Sequence, residues 1–381
     1  MKDVEIICLF KFARGGSKQL HSYFDSHKEL ISFPRTFNFY HFLKYINFDT
    51  SKISVAKKFI EFQPRFFDFK KWNKYNKLEK YDQNFKINKL LFINNYKERY
   101  FKNKNKFNNE NLRIFISLHE AYQLSLKRKL KYKTKILYHL HDIYNNDESI
   151  NQLLRDFGNN IKFLFMTRFP SNTIEAIGRW MELTSLINPD ETYYYQYNIF
   201  MDTEIMKKYK NIKYLAIPIE KLFLNKEKTL KSIVKWLNIS WDKSLMNPTF
   251  NGINWKGNSS QNNLDFSYYK NISSYKHINI LNKNYTDIIN YFFKERMIKY
   301  KYFNNNINLM NKFIIFIKII IPTNLEVGCI KNFLKINKIT SSYQIYHTRK
   351  RYNSKILLYF YFIYRTIIIY YLRVKYSLKF F

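Results

Sequence analysis

Two adjacent glycines, Gly15 and Gly16, are among only seven in this 381-residue chain, and they sit in the run ARGGSKQ between an apolar stretch and an amphipathic one. A glycine pair between a strand and a helix lets the backbone turn tightly and aim N–H groups at an anion. The following helix adds the positive end of its dipole, and Arg14, Ser17 and Lys18 add charge and a hydroxyl. Together these make a phosphate or sulfate cradle; the plainer alternative is a strand-to-helix turn with incidental basic residues. GxxxxGK[ST] is absent, which disfavours ATP hydrolysis.

A second constellation is ILYHLHD, where His139 and His141 lie two residues apart and Asp142 follows. On a strand that spacing turns both imidazoles the same way, and an unperturbed histidine titrates where a general base works. The alternative is a pair of ordinary strand-end histidines bonded to nearby backbone. Arg168 closes the apolar run IKFLFMT, and Lys256, Gly257, Asn258 and Ser259 form a polar loop that alone would mean little.

These groups need a scaffold, and the hydrophobic pattern supplies one. Short apolar runs at 4–12, 135–141, 161–167 and 212–217 read as buried strands, with a shorter one at 30–33 closed by Pro34. Helical patterns at 19–26, 118–130, 148–157, 171–183 and 226–237 alternate with them. Alternation of this kind predicts an α/β fold, a central parallel sheet flanked by helices. Residues 57–110, rich in Lys, Asn, Phe and Tyr, read as a partly helical insertion on the acceptor side of a domain spanning 1–260. Residues 261–381 read as a mainly helical, basic and apolar extension. Its runs 313–321 and 356–372 are marginal for a membrane span of about twenty residues and suit packing or membrane-surface contact.

Hydrophobic residues at 46% allow a sizeable core, so the chain is no disordered tail. Two cysteines, Cys8 and Cys329, build no disulfide framework, and no His/Cys spacing fits a metal, so no metal is expected. The net charge of +36 invites a nucleic-acid partner. Over-use of Lys, Asn, Ile, Tyr and Phe together is what an A/T-rich coding sequence produces, and that argues against it. The stretches 57–106 and 294–381 hold 25 of the 36 net charges, which suits a polyanionic substrate or an anionic membrane surface equally well. With no leader visible before the first strand, a cytoplasmic protein, peripheral at a membrane at most, is expected.

Four blocks, in order, resemble the sulfotransferases. ARGGSKQLHSYFDSHKEL is similar to that family's 5′-phosphosulfate segment, with Arg14, Gly16, Ser17, Leu20, Phe24, His27 and Glu29 in register. IKFLFMTRFPSNTIEAIGRWM resembles its 3′-phosphate segment, IEKLFLNKEKTLKSIVKWLNI the strand–helix that follows, and PTFNGINWKGNSS its PT-x-NG-x-x-W-x-GNS loop. The resemblance implies a P-loop NTPase-like α/β sulfotransferase fold. It also implies transfer of a sulfuryl group from 3′-phosphoadenosine 5′-phosphosulfate to a hydroxyl or amine, with a saccharide or polysaccharide as the expected acceptor.

On that resemblance the 5′-phosphosulfate rests on Arg14 and the amides of Gly15, Gly16, Ser17, Lys18 and Gln19, and Lys18 neutralises charge on the bridging oxygen. Arg168 would fork onto the 3′-phosphate, and Lys256, Gly257 and Asn258 would close over the nucleotide. The chain departs from the family at Ala176, where a serine is usual, leaving Ser171 or Asn172 to replace it. It also has Ser22, and Arg35 with Thr36, where members carry a catalytic acid. That loss turns attention to His141 as general base, with His139 second and His21 and His41 behind. His27 reads as structural, capping the first helix. The competing readings are a nucleotide or sugar kinase-like transferase, a basic nucleic-acid or membrane-surface binder, and a sulfotransferase-like chain that has lost activity.

Overall fold

The computed structural model describes residues 4–11, 15–46, 52–68, 86–130, 135–141, 147–158, 160–170, 172–173, 206 and 208–255, with a few single positions beyond. The chain divides into two compact units. One comprises Met1–Phe12, Gly16–Thr167 and Tyr209–Asn271; the other comprises Ala13–Gly15, Arg168–Lys208 and Ile272–Phe381. Most described residues belong to the first.

That unit is built on five parallel strands, β1 (Ile6–Lys11), β2 (Leu30–Ile31), β3 (Lys135–His141), β4 (Ile161–Thr167) and β5 (Lys213–Pro218), in the order β2-β3-β1-β4-β5. The central strand β1 pairs with β3 from Ile6↔Ile136 to Lys11↔His141 and with β4 from Ile6↔Ile161 to Phe10↔Phe165. The expected α/β class with a parallel sheet is thus realised. The strand expected over 30–33 shrinks to two residues because the Ser32 carbonyl accepts from Gln123 Nε2 at 2.6 Å instead of a ladder partner.

Helices flank the sheet: α1 (Ser17–Phe24), α2 (Phe39–Ile46), α3 (Lys52–Phe62), α4 (Pro64–Phe67), α5 (Lys89–Lys104), α6 (Glu110–Ser125), α7 (Asp147–Phe157), α8 (Ile219–Leu224) and α9 (Lys226–Leu237). The helix expected over 118–130 begins eight residues earlier, because the Asn109 side chain accepts from Leu112 N at 3.1 Å and caps it there. It stops before Lys127, whose φ of 58° is left-handed. The 57–110 stretch contributes most of α3 and all of α4 and α5. The helix expected over 171–183, and the apolar runs 313–321 and 356–372, lie largely outside the described residues. Among the described residues no helix is long and apolar enough to cross a membrane.

Period-two burial sorts the core. Ile7, Leu9, Leu137, Leu164 and Met166 face one side and pack with Leu20 and Phe24 of α1 and Leu230, Ile233 and Leu237 of α9. Phe10, Phe163 and Phe165 face the other, Phe10 stacking on Phe165 at 5.0 Å. Beyond β2 a cluster of Phe33, Phe37, Phe59, Phe66 and Tyr122 joins α3, α4 and α6, with Phe33 and Phe66 stacked at 5.2 Å. This cluster buries Phe59 and Phe66 of the aromatic-rich 57–110 stretch. At the amino edge of the sheet Glu5 Oε1 takes both Lys135 Nζ, at 3.1 Å, and Lys162 Nζ, at 3.0 Å, tying β1, β3 and β4 together.

Candidate functional site

Ligands of open parallel sheets bind beyond the carboxyl ends of the strands, and here the central strand leads to Gly16. Gly16 is left-handed (φ 91°, ψ 10°) at the N-cap of α1, and its carbonyl accepts Gln19 N at 2.9 Å. The positive φ favours glycine, and a Cβ there would also press on the Ile219 side chain, at the start of α8, whose Cδ1 would have to swing aside. The first and third sequence blocks therefore pack together through this missing side chain. The first turn of α1 carries no acidic residue, so its positive end faces the edge unopposed within the helix.

Ser17 and His139 are both buried, and Ser17 Oγ lies 3.1 Å from His139 Nε2. The strand bearing the histidines thus reaches the glycine loop through His139, which joins a second-choice base to a loop residue. His141 ends β3 opposite Lys11. One turn along α1 from Ser17, His21 is wholly buried, its ring 5.0 Å from His139 and 5.5 Å from Phe250. Among the described residues neither ring nitrogen of His21 has a hydrogen-bond partner. Burial pushes its pKa down to about 4; Asp25 pulls it back up, and Lys18 adds to the fall.

Above α1 sits a hairpin, β6 (Thr249–Phe250) and β7 (Ile253–Asn254), turned by Asn251 and Gly252 at φ 53° and 80°. Two consecutive left-handed residues suit a two-residue hairpin, and Asn-Gly supplies them. Asp25, just past α1, holds this hairpin. Its buried Oδ2 accepts from Thr249 Oγ1 and Gly252 N, both at 2.9 Å, and from Arg128 Nη2 at 3.1 Å. With the Thr249 proton so used, Ser26 Oγ donates to Thr249 Oγ1 at 2.7 Å. The result is that Phe250 and Trp255 flank the Lys18 ammonium, 5.5 and 5.6 Å from their ring centroids.

His27 and Glu29 explain their shared motif without chemistry. His27 Nε2 bonds the Ser240 carbonyl at 2.9 Å, and Ser240 N donates to Glu29 Oε1 at 3.2 Å. The ring ties α1 to the chain after α9 instead of capping the helix. His41 is exposed on α2 and touches Phe62 at 5.8 Å. Arg35, standing where an acid was sought, is half-buried, and burial with the nearby Arg65 charge brings its pKa down to about 10. Gly15 and Arg168 fall in the second unit, Arg168 directly after β4. Arg14, Ser171, Lys256, Gly257 and Asn258 lie outside the described residues.

Asp25 and Trp255 were missed as site residues. The signal was present: Asn-Gly between Phe250 and Ile253 marks a hairpin. Among the described residues no group of three His, Cys, Asp or Glu side chains is placed to hold a metal.

No family model and no curated protein matches the chain. Several solved structures are similar to it, three of them as follows. The sulfotransferase domain of the Synechococcus PCC 7002 olefin synthase is 15% identical, over 65% of this chain and 78% of its own, with a TM-score of 0.39. The sulfotransferase domain of the curacin biosynthetic pathway is 14% identical, over 77% and 98%, at 0.41. Sulfotransferase STF9 from Mycobacterium avium is 9% identical, over 78% and 76%, at 0.36. All three are sulfotransferases, the family that the four sequence blocks resemble.

Proposed function

We propose that the chain is a sulfotransferase that moves a sulfuryl group from 3′-phosphoadenosine 5′-phosphosulfate to a saccharide hydroxyl. The observation that carries this is the left-handed Gly16 between the central parallel strand and α1, followed at once by Ser17 and Lys18. A backbone turn, a helix N-terminus and an ammonium group converge there without a Walker lysine spacing, which suits a phosphosulfate better than a hydrolysed triphosphate.

In this reading the acceptor oxygen attacks sulfur and the bond from sulfur to the bridging oxygen breaks. The electron pair leaves on 3′,5′-adenosine bisphosphate, whose growing charge Lys18 meets. The hydroxyl proton passes to His141. His139 is bonded to Ser17 and serves the loop first, standing second as base. Arg168, Ser171 and the loop Lys256, Gly257 and Asn258 keep the nucleotide contacts that the resemblance implies, and the basic C-terminal extension keeps the expectation of an anionic membrane surface.

Thermal-shift titration with 3′,5′-adenosine bisphosphate against ATP, ADP and AMP tests the donor. At 100 times its dissociation constant a ligand adds about 2.7 kcal/mol. Selective stabilisation by the bisphosphate, lost in Lys18→Ala and Arg168→Ala, is expected. Equal shifts for all four nucleotides would overturn the assignment.

A further inference from the structure

Trp255 is buried to 4% exposure, yet among the described residues its indole Nε1 has no hydrogen-bond partner. A buried donor left unpaired costs about as much as a lost hydrogen bond, so such groups are rare unless something absent from the chain completes them. Trp255 is not loosely placed: its backbone N donates to the Pro248 carbonyl at 2.8 Å, its ring meets Phe250 at 5.2 Å, and Asp25 anchors the hairpin before it. The Lys18 ammonium lies over its ring, 5.6 Å from the centroid. An unpaired donor on a fixed ring that carries a cation over its face, at a helix N-terminus, is an arrangement that an oxyanion satisfies, since an anion accepts from both.

We propose that the Trp255 indole N–H is a direct ligand of the phosphate-type anion that occupies the cradle at α1, so that the β6–β7 hairpin, and not the glycine loop alone, binds it. This rests on the anion-cradle part of the function proposed above, while leaving the nucleotide open. The ligand chemistry is an oxyanion of phosphorus or sulfur, with one oxygen shared between Lys18 and Trp255. The hairpin thereby becomes a second wall of the site, and Asp25 becomes a positioning residue for it.

The test uses the full chain and two probes, inorganic pyrophosphate and 3′,5′-adenosine bisphosphate. Trp255→Phe keeps an aromatic side chain but removes the N–H together with the fused second ring. It is expected to weaken both ligands about tenfold, the scale of a hydrogen bond to a charged group. The ligand-free variant should melt earlier whatever the indole binds, because the lost ring leaves a cavity, so affinity and not melting decides. Affinity for both probes equal to that of the native chain overturns the proposal.

A second measurement needs no variant to fold well. The native chain has five tryptophans, and their indole N–H resonances can be followed during pyrophosphate titration. One resonance, assigned to Trp255, should move far downfield; five unmoved resonances would overturn the contact. Trp255-dependent binding of pyrophosphate without preference for the bisphosphate would uphold the contact and remove the nucleotide reading instead.

Discussion

The two ends of the same three strands differ sharply in how their polar groups are matched. At the amino edge Glu5 faces Lys135 and Lys162, and Lys135 Nζ also reaches the Leu237 carbonyl. At the carboxyl edge the basic Lys18 rests against aromatic faces, and buried His21 and Trp255 nitrogens lack partners among the described residues. An edge closed on itself contributes to stability, whereas an edge with unmet donors holds part of its binding energy in reserve for a ligand. Substitutions at the two ends should therefore separate binding from folding.

The largest separation is expected at Lys18. Lys18→Met should cut the sulfuryl transfer proposed above by about 10²–10³-fold, the usual effect of deleting one group that meets charge in the transition state. It should leave the urea midpoint of the ligand-free chain in place. A midpoint that falls with the activity would make Lys18 a packing residue and erase the contrast.

Next is acid. The folded chain holds His21 near pKa 4 and His119 near 3, both because burial disfavours the cation. Free histidine titrates near 6.5, so the unfolded chain takes up protons first as pH falls. The stability carried by a neutral His21 is complete above about pH 6.5 and drains away down to about pH 4, about 3 kcal/mol in all. Lys18, Asp25 and His139 are the ionisable neighbours. His21→Gln should flatten that limb of the stability–pH curve measured by urea denaturation. An unchanged slope would mean that the imidazole is already solvated.

Asp25 joins the two effects. Asp25→Asn retains an acceptor for Thr249 and Gly252 but removes the charge that Arg128 pairs with. A loss of about 2 kcal/mol is expected, and the bisphosphate should bind more weakly because the hairpin is less well held. Full affinity at reduced stability would detach the hairpin from the site.

Sequence pattern and tertiary context contributed to different parts of this picture. Strands 135–141 and 161–167 and the helix 226–237 were legible to the residue, because buried parallel strands are continuous apolar runs and helix faces repeat. The glycine loop was legible for a local reason too: Gly16 needs its left-handed φ whatever surrounds it. What stayed hidden depends on partners distant in sequence. Ser32 leaves the ladder because of Gln123, 91 residues away. His139 meets Ser17 across 122 residues, and Asp25 holds a hairpin more than 220 residues on. No local spacing announces such pairs.

The smallest expected effect lies at the closed edge, and it is the control for all the others. Glu5→Gln keeps the shape and one acceptor oxygen but leaves Lys135 and Lys162 as neighbouring like charges. Both lysine side chains are mostly buried, at 13% and 14% exposure, while Glu5 is more open at 26%. Solvent therefore screens the carboxylate, and the loss should be near 1 kcal/mol, above a fully exposed pair and well below a buried one. Rising salt should shrink the difference between variant and native chain, since screening weakens the native attraction and the variant's repulsion alike. Bisphosphate affinity should not change, because the amino edge lies a full strand length from Gly16. If Glu5→Gln weakens the nucleotide as much as it weakens the fold, the two edges are coupled through β1, and the separation between a stabilising end and a binding end fails.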